Sequence, residues 1–150
     1  MIVLECDRCF SKIINLSEIM NPPKDVTIYE SELATMWLDE EGILYIIAKK
    51  AERTPEKQKA QFDFVSKLTK GQKVCAMADI SLSASMDKKT REQSAELVPK
   101  TFKAMAVLSN STFARFFANL YMGLIKQSVP VRLFEKEEEA LNWLRLFLDK

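Results

Sequence analysis

The chain has 150 residues, 47% of them hydrophobic and 29% charged, a composition that fits a folded domain and excludes a disordered chain. Lys and Arg number 22 against 21 Asp and Glu, and a formal net charge of +1 makes no electrostatic case for nucleic acid or for an acidic substrate. Histidine is absent, which removes the commonest general base and metal ligand, and 3 cysteines fit a reducing compartment better than a disulfide framework.

Residues 1–24 read as an N-terminal extension closed by Asn21, Pro22 and Pro23, because paired prolines cannot continue a helix. Residues 25–150 read as a single domain. The apolar run at residues 1–4 is followed by Glu5 and Asp7 and lacks the basic region and long apolar segment of a secretory signal. The expectation is a cytoplasmic protein, and no apolar stretch approaches the roughly 20 residues that span a bilayer. Cys6 and Cys9 form a CxxC, but zinc would need a second pair of ligands, and Cys75 is the one cysteine left. No metal and no cofactor is expected.

Residues 27–38 turn toward strand, and Asp39, Glu40, Glu41 and Gly42 then mark a hairpin turn. Residues 43–48 are apolar without alternation, the pattern of a strand covered on both faces and therefore central. Thr54, Pro55 and Glu56 supply an N-cap, a first-turn proline and a carboxylate against the helix dipole. Phe62, Val65 and Thr69 give that helix its buried face, and Gly71 stops it. Residues 74–79 form a strand, so that strand, helix and strand imply a right-handed crossover and parallel pairing.

Residues 73–91 are the junction around which the rest is placed: a short strand ends in Asp79, a serine-rich loop follows, and a charged helix begins. That helix is predicted over about 86–98, ended by Pro99. Residues 104–108 give a fourth strand, and Ser109, Asn110 and Ser111 cap a helix over 112–125. Leu133 and Phe134 make a short edge strand. Glu137, Glu138 and Glu139 open the last helix, whose Ala140, Trp143, Leu144 and Phe147 fall on one face. Adjacent carboxylates on a helix point in different directions, so they serve the dipole rather than a metal. The expected fold is α/β, with a four- to five-stranded mixed sheet (an N-terminal hairpin, then parallel strands) and about four helices.

The 112–125 helix is apolar around most of its circumference, with Phe113, Phe116, Phe117 and Tyr121 among its apolar residues. A helix on one side of a sheet needs an apolar stripe little wider than 100°. Neighbouring elements, a second copy of the chain, a small apolar ligand or a membrane surface would each cover the excess. At ~14 residues and ~21 Å it is too short to cross a bilayer.

The closing residues, Pro130-Val131-Arg132-Leu133-Phe134 followed by Glu137-Glu138-Glu139-Ala140-Leu141-Asn142-Trp143-Leu144, together with a hairpin and helix–strand repeats, resemble the SpoIIAA-like branch of the STAS domains. The resemblance spans roughly residues 30 to 148. It implies a mixed sheet with helices largely on one side. In the related anti-sigma-factor antagonists, a serine in an Asp-Ser-Ser-Gly motif is phosphorylated and thereby loses its partner kinase. Laid from Asp79, that motif puts its aspartate at Asp87, its serine at Lys88 and its glycine at Thr90. Lysine cannot carry that phosphate, so the resemblance implies the location of a functional surface and not the switch.

Three functions follow as expectations. The first is a non-catalytic regulatory or protein-interaction module, binding an unidentified protein partner through Asp79, Ser81, Ser83, Ser85, Asp87, Lys88 and Arg91, with Ser109, Asn110 and Ser111 alongside. These residues stand at helix starts beyond parallel strands, where open α/β sheets bind ligands and a phosphate on Ser83 or Ser85 would meet a favourable dipole. The second is a carrier of a small apolar ligand or lipid on Phe113, Phe116, Phe117 and Tyr121, with peripheral membrane contact as its variant. The third is an enzyme using Asp79 or Cys75; Cys75 sits mid-strand, as an inert buried thiol would, and no partner is placed for Asp79. A homodimer is compatible with all three.

Overall fold

The computed structural model describes residues 2–4, 20–109, 112 and 128–149. Cys6, Cys9, Asn110, Ser111, Phe113, Phe116, Phe117 and Tyr121, and the body of the helix predicted over 112–125, lie outside the described residues.

Seven strands form one sheet in sequential order: β1 (Ile2–Leu4), β2 (Ile28–Glu30), β3 (Ala34–Leu38), β4 (Leu44–Ala48), β5 (Val74–Asp79), β6 (Phe102–Leu108) and β7 (Val131–Phe134). The first four run antiparallel to one another, and β4 to β7 run parallel. The mixed sheet is therefore as expected, but it is wider than four or five strands. β1 and β2 have three residues each, too short to show periodicity. The stretch 27–38 is two strands rather than one. Ser31 turns the chain: its Oγ accepts from the backbone N–H groups of Leu33 and Ala34, at 3.2 and 3.0 Å.

Among the described residues there are three α-helices, α1 (Pro55–Leu68), α2 (Lys88–Thr101) and α3 (Glu137–Leu144), and a 3-10 turn at Arg145–Phe147. α1 starts as its sequence demands, with the Thr54 Oγ1 accepting from the Lys57 N–H at 3.2 Å. It ends before Lys70 and Gly71, whose φ values of 56° and 75° take the left-handed region. α2 departs from expectation at both ends. Asp87 is its N-cap, and Pro99 lies inside it rather than beyond it. In the same last turn the Thr101 hydroxyl donates to the Leu97 carbonyl at 3.0 Å. β6 then begins at the next residue, two earlier than predicted.

Strands β4, β5 and β6 are buried on both faces, which is why their sequences run apolar without alternation. One face, with Met36, Leu44, Ala76, Met105 and Val107, packs against Val65 of α1 and Val98 of α2. The opposite face, with Trp37, Tyr45, Cys75, Met77 and Ala106, packs against Ala140 and Leu144 of α3. Aromatic contacts fasten that second layer. Trp37 stacks on Tyr45 at 5.1 Å, and Trp143 meets both Phe134, at 5.6 Å, and Phe147, at 4.9 Å. Among the described residues no helix is long and apolar enough to cross a membrane.

Met77 is fully buried beneath α3, whereas Leu146 is 65% exposed. Met77→Ala should therefore cost about 2–5 kcal/mol in urea unfolding, and Leu146→Ala should stay within about 0.5 kcal/mol. Equal effects would contradict a layer closed by α3.

Candidate functional site

The parallel strands end in register. Ile47 pairs with Asp79, Asp79 with Leu108, and Leu108 with Phe134, so four strands stop along one line. Pairing runs one residue further, as Ile80 N–H donates to the Leu108 carbonyl at 3.0 Å. The connections from β4 to α1 and from β5 to α2 therefore leave from the same edge, the carboxyl end of the strands, where open α/β sheets bind ligands.

Loop 80–87 is built by short local bonds. The Asp79 carboxylate accepts from the Ser81 N–H at 2.9 Å, which turns the chain off the strand. The Ser83 N–H donates to the Ile80 carbonyl at 3.0 Å, and its hydroxyl donates to the Ala84 carbonyl at 3.2 Å. Asp87 closes the loop by capping α2, accepting from the Thr90 N–H at 2.8 Å. Thr90 holds the Asp87 carboxyl below the usual range, with smaller help from Lys89 and Arg91. Arg91 reaches back to donate to the Met86 carbonyl at 2.7 Å.

Beneath this loop is a cavity of about 180 Å³. Strands β3 to β6 form its floor, α1 forms a side, and residues 83–86 of the loop form its roof. Alanines make the space: Ala34, Ala48 and Ala78 line it where larger side chains would fill it. A polar network bounds the apolar interior. Gln58, buried on α1, donates to the Ser94 hydroxyl at 2.8 Å and accepts from Arg53 at 3.0 Å, tying the β4–α1 connection to both helices. Arg53 also donates to the Leu33 carbonyl at 3.2 Å. Gln61, one turn on, accepts from the Ser31 hydroxyl at 2.6 Å. The described wall offers hydroxyls, amides and guanidinium groups and contains no carboxylate or thiol. Such a surface is equipped to bind.

The predicted site residues divide. Ser83, Ser85 and Arg91 line the cavity. Ser85, Asp87 and Lys88 are exposed, and Ser81 is half-buried on the same loop. Asp79 is buried at 1% exposure, and strand alternation puts it with Cys75 and Met77 on the α3 face, away from the cavity. Ser109 is completely buried, its N–H directed to the Phe134 carbonyl at 3.4 Å. Neither presents its side chain at the surface. The cap of α2 is Asp87. Arg53, Gln58 and Gln61 were missed by sequence reasoning. Their signal was there in part, since Gln58 and Gln61 precede Phe62 and Val65 on the inward face of α1 at helical spacing.

Cys75 is buried on the α3 face at 1% exposure, and burial pushes its thiol up from the ordinary value against a smaller opposing effect of Lys103. A protonated thiol under a helix is no nucleophile.

Similar proteins were found at two levels. A family model described as a domain of unknown function, DUF7793, matches residues 36–148. No curated protein matches the chain. Among solved structures, an uncharacterised protein of the DUF3478 family with a SpoIIAA-like fold, from Shewanella loihica PV-4, superposes with a TM-score of 0.51 at 17% identity. That match covers 83% of this chain and 98% of the other. The NMR structure of the protein TM1081 gives 0.55 at 14% identity, covering 84% and 98%. At such identities the likeness shows the fold, and the fold is SpoIIAA-like.

The capping aspartate gives the site a pH dependence of known sign. A carboxyl depressed in the folded protein stabilises it above the unfolded pKa, about 3.9, and that contribution is lost as pH falls through the folded value. Asparagine caps a helix as well as aspartate does but does not titrate. Asp87→Asn should therefore unfold near the wild-type midpoint at neutral pH and lose less stability than wild type between about pH 5 and pH 2. Parallel acid profiles would contradict the assigned cap.

Proposed function

The chain belongs to the family of domains described as DUF7793, a domain of unknown function, and from that premise we propose a non-catalytic regulatory module of STAS type. It acts by docking a protein partner on loop 80–87 and the start of α2. The observation that supports this reading most is that Ser85, Asp87 and Lys88 stand exposed together at the edge where four parallel strands end. The Lys88 side chain is 83% exposed and engages Glu92 only at 3.8 Å, an exposed pair that contributes little and is easily exchanged for a partner's carboxylate.

Lys88 stands where the related switch proteins carry their phosphorylated serine, so this module works without that modification. It reads a partner by charge and shape at the same edge. The non-catalytic reading is supported by what surrounds the two groups that the sequence offered for chemistry. Cys75 is sealed beneath α3, and Asp79 spends its carboxylate on the turn at Ser81. The apolar-ligand alternative based on Phe113, Phe116, Phe117 and Tyr121 has no described geometry to support it.

A photo-crosslinking amino acid placed at Ser85, in the native host, should give one discrete protein adduct that is lost when Lys88→Glu is added. The same probe at Lys59 or Ser66, exposed on α1, should give none. Adducts from α1 equal to those from the loop, or indifference to Lys88→Glu, would overturn the docking surface.

A further inference from the structure

We infer that the cavity beneath loop 80–87 binds a small carboxylate with an apolar body, of the size of an aryl-alkanoate. This site is independent of the protein-docking reading and stands or falls separately. Its volume of about 180 Å³ exceeds the 150 Å³ or so of an apolar cavity that takes up benzene, leaving room for one ring and a short chain. The interior is predominantly apolar, with Phe62 on one side and the alanines of β3, β4 and β5 on the floor. Ligand sites have this character: an apolar enclosure with a few convergent polar groups.

The charge of the wall selects the head group. Among the described residues of the wall the ionic ones are Arg53 and Arg91, both partly exposed and so placed where the wall meets solvent. Arg53 is held in the wall by its bonds to the Gln58 amide and the Leu33 carbonyl, and Arg91 donates to the Met86 carbonyl, a neutral oxygen. Asp87 is near enough to Arg91 to feel its charge, but it is engaged with Thr90 and is not part of the wall. The Arg91 guanidinium in a partly water-excluded mouth favours an anion, and a planar carboxylate matches its donor fork. A neutral ligand of the same shape would forgo that bond, and a cation would be repelled.

The probe is 3-phenylpropionate, compared with its neutral isostere 3-phenylpropanamide, titrated into full-length protein labelled at the methionine methyls. Met86 and Met105 line the cavity, while Met20 and Met77 lie on the opposite face of the sheet. The acid should shift the Met86 and Met105 signals with a dissociation constant of about 1 mM or tighter, leaving Met20 and Met77 in place. The amide should bind about tenfold more weakly, the effect of losing a hydrogen bond to a charged group. Arg91→Gln should bring the acid down to the affinity of the amide, and Ala78→Met should abolish both, with unmoved Met20 and Met77 signals confirming the fold. Absence of shifts at Met86 and Met105 in the wild type, or equal affinity for acid and amide, would overturn the site without recourse to any variant.

Discussion

The structure depends on one constraint: β4, β5 and β6 are apolar on both faces and must be covered on both. No single layer can do that. The crossover helices α1 and α2 lie on one face and the C-terminal α3 closes the other, so the sheet becomes the middle of three layers. The cover is not uniform. On the α3 side it is filled by aromatic contacts among Phe134, Trp143 and Phe147. On the α1–α2 side, small side chains at the strand ends leave a cavity that loop 80–87 roofs. The same need for two-sided cover that builds the core therefore creates a place where it is thin.

The sequence made the middle of this molecule legible, because its physics is local. Residues 43–48 announce a doubly covered strand by lacking alternation, and Thr54 with Pro55 announces a helix start by supplying cap and first turn in adjacent positions. The position of the junction at Asp79 was legible for the same reason. What was not legible rests on partners distant in the chain. Whether Asp79 faces the cavity or α3 follows from sheet register, and β5 is too uniformly apolar for its sequence to show which side is which. Gln58 joins the two helices because Ser94 comes within 2.8 Å, across 36 residues of chain. The split of 27–38 into two strands turns on a single serine hydroxyl, and serine is a weak turn signal. Pro99, read as the end of α2, is a reminder that a proline in the final turn costs one hydrogen bond at most sites and need not stop a helix that the core on both sides of it holds.

The family resemblance holds for the fold and fails at the switch motif. The fold is SpoIIAA-like, and the docking surface proposed above lies at the edge that the resemblance implied. Lys88 and Thr90 replace the serine and glycine of the switch motif, and the structure gives both residues other work. Lys88 extends into solvent, and Thr90 is buried as the partner of the Asp87 cap. The aspartate that opens the motif of the related proteins is kept as Asp87, and here it caps a helix. On the proposed reading, regulation at this edge comes from what binds on the loop or beneath it.

A working edge in which a partner docks on loop 80–87 and a ligand enters beneath it predicts that the loop opens independently of the sheet it roofs. Native-state amide hydrogen exchange followed residue by residue in increasing denaturant tests that directly. The amides of β5 and β6 should exchange only through global unfolding, with a free energy that falls steeply with denaturant, while those of Ser81 to Ser85 exchange through local opening that barely responds to it. Loop amides that follow the slope and free energy of the strands would show the loop to be part of the core, and the account of this edge as a working surface would be wrong.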